Sequence, residues 1–513
     1  MEVHMNKTTL LRVLSFVLLA AMLVSVFVAC DSGDKTVEET KAPASSDNGS
    51  DATEGTEEVV TEATPEDIEQ KNFDAEFYLR NQTDCNPMKM FWVEKSEGDT
   101  LSEAVYARQE KIKNWIGVEV IAEKASGHTI YASDFINSVT TKDGSVDVLL
   151  THISSGVSPM VSGGYFQDYN GVDGIDLDKE YWNHDFMDKL AVNDKYYLGF
   201  GDFNLLRTYV ITINKDLLSQ KALEGYSQKE VYDSVRNGTW TLDKLIDLAT
   251  KGYTQKGGPD KDVYGLVGQQ WVPWIGFFHS SGINLVDMDE SGVYKVAVMN
   301  EQNKEKTTAL VTKLKDFSAS GMGSFTFPAG GSISDPDAKL NNKRALMELH
   351  ATTSLEGLLA YEITFGVLPY PLYDTNQFDA NSASRGYRSL QWGGSLGIAN
   401  YLAKDSAIIG ETLELLNFYA PNVKTAYFEK LLGKQISQAP DDAEMLNIIW
   451  KSVCSDMGQT YDQEIGYLYF LPKVTWPGTD GKELVSYNKQ LESSANKSIK
   501  KFILKVSKIG TGK

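Results

Sequence analysis

The chain has 513 residues, 42% hydrophobic and 23% charged, which suits roughly two domain-sized units with a large core and no dependence on disulfides. Its formal net charge of −21 is concentrated early, since residues 31–70 carry 13 acidic and 2 basic side chains, but the rest of the body is acidic as well. An acidic surface repels phosphate backbones, which argues against nucleic acid as a partner.

Lys7 and Arg12 precede a nearly uninterrupted apolar run from Val13 to Ala29, followed by Cys30. About 17 apolar residues are marginal for crossing a ~30 Å hydrocarbon layer and suit the apolar region of a signal peptide over residues 1–29. A cysteine directly after Ala29 resembles a lipoprotein signal, with Cys30 as the acylated first residue and Phe27 where Leu is usual. An uncleaved signal anchor is the alternative. Both readings put the body at the extracellular face of the cell membrane, lipid-anchored in the first. Residues 30–70 hold almost no large apolar side chain, so burial cannot offset ordering entropy and a disordered acidic tether is expected. Cys85 and Cys454 are either bridged or separate thiols; the sequence leaves both open.

The first strand is expected at Met88, in MKMFWVE. A capping box of Thr100 and Glu103 then opens a helix with Leu101, Ala104, Val105, Ile112, Trp115 and Ile116 mostly on one face and Arg108 interrupting it. VEVIA at 118–122 reads as a second strand, a helix follows near Tyr131–Val139, and Val146–Leu150 reads as a third strand. Strands and helices alternating at this spacing form a parallel α/β unit, with ligands beyond the carboxyl ends of the strands, here 94–97 and 151–155.

Lys195–Leu218 is rich in aromatic and β-branched residues and is broken once, at Gly201-Asp202, as two strands joined at a bend would be. Further on, Thr241 can cap a helix whose Leu245, Leu248 and Ala249 face inward and which ends at Gly252. An extended crossing that leads into a new helical region is what two hinged lobes require. The phrases ITINKDLL and GTWTLDKL, in this order, resemble the crossing and the following helix start of the family-one extracellular solute-binding proteins of ABC importers, which include sugar binders. Ile213 stands where an aromatic is usual in the first phrase. NNKRALMELHATTSLEGLL, GVLPYPLYD and DDAEMLNIIWKSVCSDMG are further family-like phrases, so the resemblance runs from about Met88 to about Gly458.

That resemblance implies an α/β fold of the two-lobe periplasmic-binding-protein type, with hinge strands and a ligand cleft between the lobes. The first lobe is expected over 71–207 plus about 395–440, and the second over 208–394 plus about 441–513. The return crossing is expected in SLQWGGSLGIA at 389–399, with helices from about Ser406 and Lys424 and, beyond Gly458, a lysine-rich segment to Lys513 that ends in a frayed tail.

For the site, the resemblance places Trp271 on a turn facing the cleft, where an aromatic plane can cover the C–H face of a sugar ring. Gln270 adjoins it. Trp274 and Trp392 are candidates of the same kind, with ordinary core positions as the alternative. Glu94, Thr151, His152, Asp202 and Arg207 would supply directional hydrogen bonds to hydroxyls; turn, cap or surface roles are the alternatives. Enzyme motifs largely fail. Gly393–Gly397 matches G-x-S-x-G, but the last of six histidines is His350, so no later His can complete that machinery. Asp287-x-Asp289-x-Ser291-Gly292 begins like a calcium loop, yet Val298 stands where a bidentate Glu is needed, and a hairpin turn explains it better.

The expectation is therefore a non-enzymatic, monomeric substrate-binding lipoprotein. It needs no cofactor or metal and delivers a small solute, a carbohydrate or oligosaccharide, to ABC permease subunits. A cell-surface glycoside hydrolase and a sensory or adhesive binding protein are the rival readings.

Overall fold

In the computed structural model the first strand lies earlier than Met88. Ala75–Asn81 (β1) alternates inward Phe77, Leu79 and Asn81 with more exposed residues, the period of a strand with one covered face. The structure describes residues 64–82, 88–123, 130–152, 156–204, 208–221, 223, 225–326, 334–477 and 481–509. The apolar run 13–29, Cys30, the tether up to Ala63, Cys85 and Arg207 thus lie outside the described residues. Thr64–Lys513 forms one compact unit.

The expected strand at MKMFWVE is instead a 3-10 turn, Met88–Met90, and an irregular buried segment. Its apolar side chains belong inside, but its carbonyls are satisfied from a helix rather than a ladder. The guanidinium of Arg108 donates to the carbonyls of Met90 and Phe91, both at 3.0 Å, and Gln109 exchanges two hydrogen bonds with the backbone of Val93. The arginine that interrupts the apolar face of Thr100–Ile116 (α1) is what lets that segment be buried without a sheet. The expected capping box gives way to Asp99, whose carboxylate accepts from the Ser102 N–H at 3.2 Å.

Val118–Glu123 (β2) and Val148–Leu150 (β3) flank β1 in parallel, with Ile130–Thr141 (α2) between them in the chain. The 196–203 half of the aromatic stretch does not form the first of two strands. It is held by isolated bridges, Gly199 to Leu396 and Gly201 to Trp182, and only Tyr209–Asn214 (β4) is a full strand.

From there a second sheet is built. Lys215–Lys221 (α3), Gln228–Arg236 (α4) and Leu242–Gly252 (α5, capped by Thr241 as expected) lead to Tyr264–Gln269 (β5). A Cβ at Gly265 would sit 1.7 Å from the carbonyl oxygen of Ala249, so α5 can lie this close to β5 only over a glycine. Val272–Ser280 (α6) follows, then a hairpin of Val286–Met288 (β6) and Tyr294–Val296 (β7). The Asp289 carboxylate accepts from the backbone N–H groups of Ser291 and Val293, the turn role expected of it. Lys304–Ala319 (α7), Gly323–Thr326 (β8), Ser334–Asn341 (α8), Ala345–Ala351 (β9) and Phe365–Leu368 (β10) complete a five-stranded sheet of order β10-β4-β9-β5-β8.

The chain then returns. Ser389–Leu390 (β11) is followed by Leu396–Ile398 (β12), which joins the first sheet antiparallel to β3 and gives it the order β12-β3-β1-β2. Ser406–Phe418 (α9) and Ala420–Leu432 (α10) pack on that side, and Lys404 is tied to the buried Asp147 of the first sheet at 2.8 Å. After Pro440–Lys451 (α11), Val453–Cys454 (β13) runs parallel to β11. Thr208 bridges to Gln391, so three segments lie side by side between the two sheets, around 208, 391 and 454. Most of the lysine-rich segment is helical, and the frayed end expected of it, 510–513, lies outside the described residues. Leu484–Val506 (α12) is a 23-residue helix that buries Ala495, Ile499, Phe502 and Val506 along one stripe.

Candidate ligand site at the strand ends and crossings

The carboxyl ends of two strands abut the crossing segments directly. Beyond β3, the Thr151 N–H and hydroxyl both donate to the Ser395 carbonyl, at 2.8 and 3.0 Å. Beyond β9, the Thr352 N–H donates to the Thr208 carbonyl at 2.9 Å. Because β1 is parallel to β3 and β5 is parallel to β9, Gln82 and the run Gln269–Trp271 emerge on the same two edges. These edges, in a sheet of parallel α/β type, are where ligands sit.

On the first edge, Thr151, His152 and Trp392 come together. The side-chain Oε1 of Gln82 accepts from the His152 backbone N–H at 2.9 Å, which ties the ends of β1 and β3 to each other. The Trp392 and His152 rings meet edge to face at 6.0 Å, and both are nearly buried. Asn204 donates to the Gly394 carbonyl at 2.8 Å, locking the outgoing crossing to the returning one.

On the second edge, Trp271 is half-buried and stacks on Tyr469, with centroids 3.9 Å apart and planes inclined by 14°. It precedes α6, where Pro273 can occupy the first turn because no N–H is needed there. Gln270 does not reach solvent in this conformation: its amide donates to the Thr475 hydroxyl at 3.2 Å, and the Ser318 hydroxyl donates to it at 3.4 Å. Thr475 also accepts from the Trp274 indole at 2.7 Å, so Trp274 is a core residue.

The other expected residues lie elsewhere. Glu94 is exposed, and since 88–93 is no strand it does not stand at a strand end. Asp202 is half-buried and accepts from the Trp450 indole at 3.3 Å and from Lys451 at 3.4 Å, which makes it a link from the crossing to α11. Ser395, the would-be nucleophile, is buried with its carbonyl bound to Thr151.

Several residues of this region escaped the sequence. Tyr469 carries no motif and is brought to Trp271 by the fold. Gln391 is fully buried in the returning crossing, and among the described residues neither polar atom of its side-chain amide has a partner; the Ser395 hydroxyl is likewise unpartnered there. Residues 389–392 are all buried, so no alternation in the sequence marks Gln391.

Below this layer the electrostatics are structural. Burial alone would raise the Asp456 carboxyl, but hydrogen bonds from His279 at 3.1 Å and from the N–H groups of Leu285 and Gln459, at 2.6 and 2.9 Å, hold it below the usual carboxylate range. Burial pushes the free Cys454 thiol up to about 11, which makes it inert as a nucleophile at neutral pH. A cavity of about 370 Å³ near Pro65, Tyr181, Glu414 and Phe418 holds none of the expected residues, and the chemistry on the two edges outweighs its size.

No protein-family model matches this chain, and no curated protein sequence does. Solved structures are similar to it. The cyclic alpha-maltosyl-1,6-maltose binding protein from Arthrobacter globiformis is 12% identical, with 83% of this chain and 99% of that chain covered and a TM-score of 0.54. This chain has the two-lobe solute-binding-protein fold. An ABC substrate-binding protein from Listeria monocytogenes, in complex with cycloalternan, is 14% identical over 85% of this chain and 98% of that one, with a TM-score of 0.47. The GacH receptor of Streptomyces glaucescens is 15% identical over 84% and 98%, with a TM-score of 0.48. The Trp392–His152 and Trp271–Tyr469 pairs stand at strand ends of the two main sheets.

Proposed function

We propose that the protein is the substrate-binding component of an ABC importer and captures a carbohydrate, most simply an oligosaccharide, between its lobes. The first lobe takes in 71–207 and about 395–440, the second 208–394 and about 441–513. The observation that carries the reading is the stacked Trp271–Tyr469 pair at the carboxyl end of β5, half-buried in a fold whose solved example binds a cyclic maltosyl saccharide. Half-exposed aromatic planes offer a sugar ring an apolar face, and contacts of this kind add ~0.5–1.5 kcal/mol beyond area burial.

Mechanism follows from the connections. Ligand that touches both lobes stabilises the closed arrangement by its differential affinity, and hinges absorb the change in a few backbone torsions. Thr208, Gln391 and Cys454 mark where those torsions would change. The solute leaves chemically unaltered, to a membrane permease, with ATP hydrolysis on another protein. Anchoring through acylated Cys30, a monomeric state and an extracellular location belong to the same reading.

Isothermal titration calorimetry against linear and cyclic maltodextrins tests it. Saturation at 100 times the Kd should raise stability by ~2.7 kcal/mol, visible as a higher melting temperature. Appearance of shortened saccharides would point to a glycoside hydrolase instead. Failure of every saccharide to bind would remove the carbohydrate and leave the fold standing.

A further inference from the structure

Close to the carboxyl end of β9 the fold gathers three side chains, one of them from α8. Asp337 lies on α8, and Glu348 and His350 lie two apart on β9, which puts them on one face of the strand. One potential ligand atom from each lies within 4.8 Å of the others, with His350 Nδ1 3.6 Å from Glu348 Oε1 and 4.0 Å from Asp337 Oδ1. Glu348 is 2% exposed and its Oε2 has no hydrogen-bond partner among the described residues. A buried carboxylate with an open oxygen beside a second carboxylate costs stability unless something positive, or a shared proton, lies between them.

We propose that Asp337, Glu348 and His350 form a binding site for a divalent transition cation of the zinc class. One nitrogen and two carboxylate oxygens suit Zn²⁺, whereas Ca²⁺ and Mg²⁺ prefer six or more oxygens. Ligands ~2.0–2.2 Å from a tetrahedral metal stand ~3.3–3.6 Å apart. The His350–Glu348 separation of 3.6 Å already matches, and the others, 4.0 Å for His350–Asp337 and at most 4.8 Å within the cluster, have to close by roughly half to just over one ångström. The fourth position opens to solvent beside Asp337, whose side chain is 44% exposed. The cation would fasten α8 to β9, whose last residue, Ala351, pairs with Tyr209 next to the crossing at Thr208. It is independent of the saccharide reading and stands if that reading falls.

The test is calorimetric titration of the chelator-treated full chain with ZnCl₂, without saccharide. One saturable equivalent is expected, and Glu348→Gln and His350→Gln should each weaken it at least tenfold, since loss of an outer-shell partner alone costs ~10–100-fold. Asp289→Asn, in the acidic hairpin, should leave that equivalent unchanged. If Glu348→Gln or His350→Gln does not fold, Asp337→Asn at its half-exposed position carries the same expectation. Absence of a saturable equivalent in the parent protein, as a proton shared between the carboxylates would give, overturns the proposal. So does an equivalent that survives replacement of the three residues.

Discussion

Lys215 and Asp216 of the ITINKDLL phrase do structural work rather than touch a ligand. The Lys215 ammonium is buried against the Asp442 carboxylate at 2.6 Å, and the Tyr232 hydroxyl donates to the same carboxylate. Asn214 caps α3 by accepting from the Leu217 N–H, and Asp216 accepts from the Thr364 N–H. Removing one member of a buried ion pair strands the other charge, so Asp442→Asn should cost ~3–5 kcal/mol in urea denaturation. Asp456 gives a pH prediction. Its carboxyl is depressed in the folded protein, so its stabilisation is fully present above the unfolded value near ~3.9 and is lost as pH falls through the folded value. Asp456→Asn should therefore lower stability at pH 7 and flatten its fall below about pH 4, followed by chemical denaturation at stepped pH. Trp271→Ala should weaken saccharide binding by roughly 2–10-fold with an unchanged fold by circular dichroism. The resemblance singles out Trp271 as a candidate, and its half-buried position beyond β5 is compatible with that. Tyr469 was not legible, since an aromatic 198 positions away is brought there only by the fold.

At the level of elements, strands with a clean period and helices with a cap were readable from the chain, as β2 and α5 illustrate. The misplacement of the first strand has a physical origin: MKMFWVE has the apolar content of a buried strand, but its carbonyls are met by Arg108 and Gln109, a tertiary fact that composition does not carry. The C-terminal helix was missed for another reason. Six lysines between 489 and 508 obscure a stripe of Ala495, Ile499, Phe502 and Val506, because long basic side chains lie over apolar surface while their charges stay in water. This helix is part of the folded body, and Phe502, fully buried against Tyr461, should cost ~3–5 kcal/mol when replaced by Ala, read from the shift in the urea midpoint.

For the whole molecule, two sheets of separate strand order, joined by segments at 208, 391 and 454, are what a closing cleft requires. The first two segments were legible, one as a long β-branched run and one as a glycine-broken strand. The third was not, because Val453–Cys454 is two residues long and no periodicity can announce so short a strand. The ligand stayed hidden for a related reason: the phrases shared with solute-binding proteins lie mostly in ion pairs, caps and core contacts that build the lobes. The most direct test of lobe closure is small-angle X-ray scattering of the protein with and without a saccharide at concentrations calorimetry shows to be saturating. A smaller radius of gyration in the bound state is the predicted result, and an unchanged radius at full occupancy would contradict capture by closure.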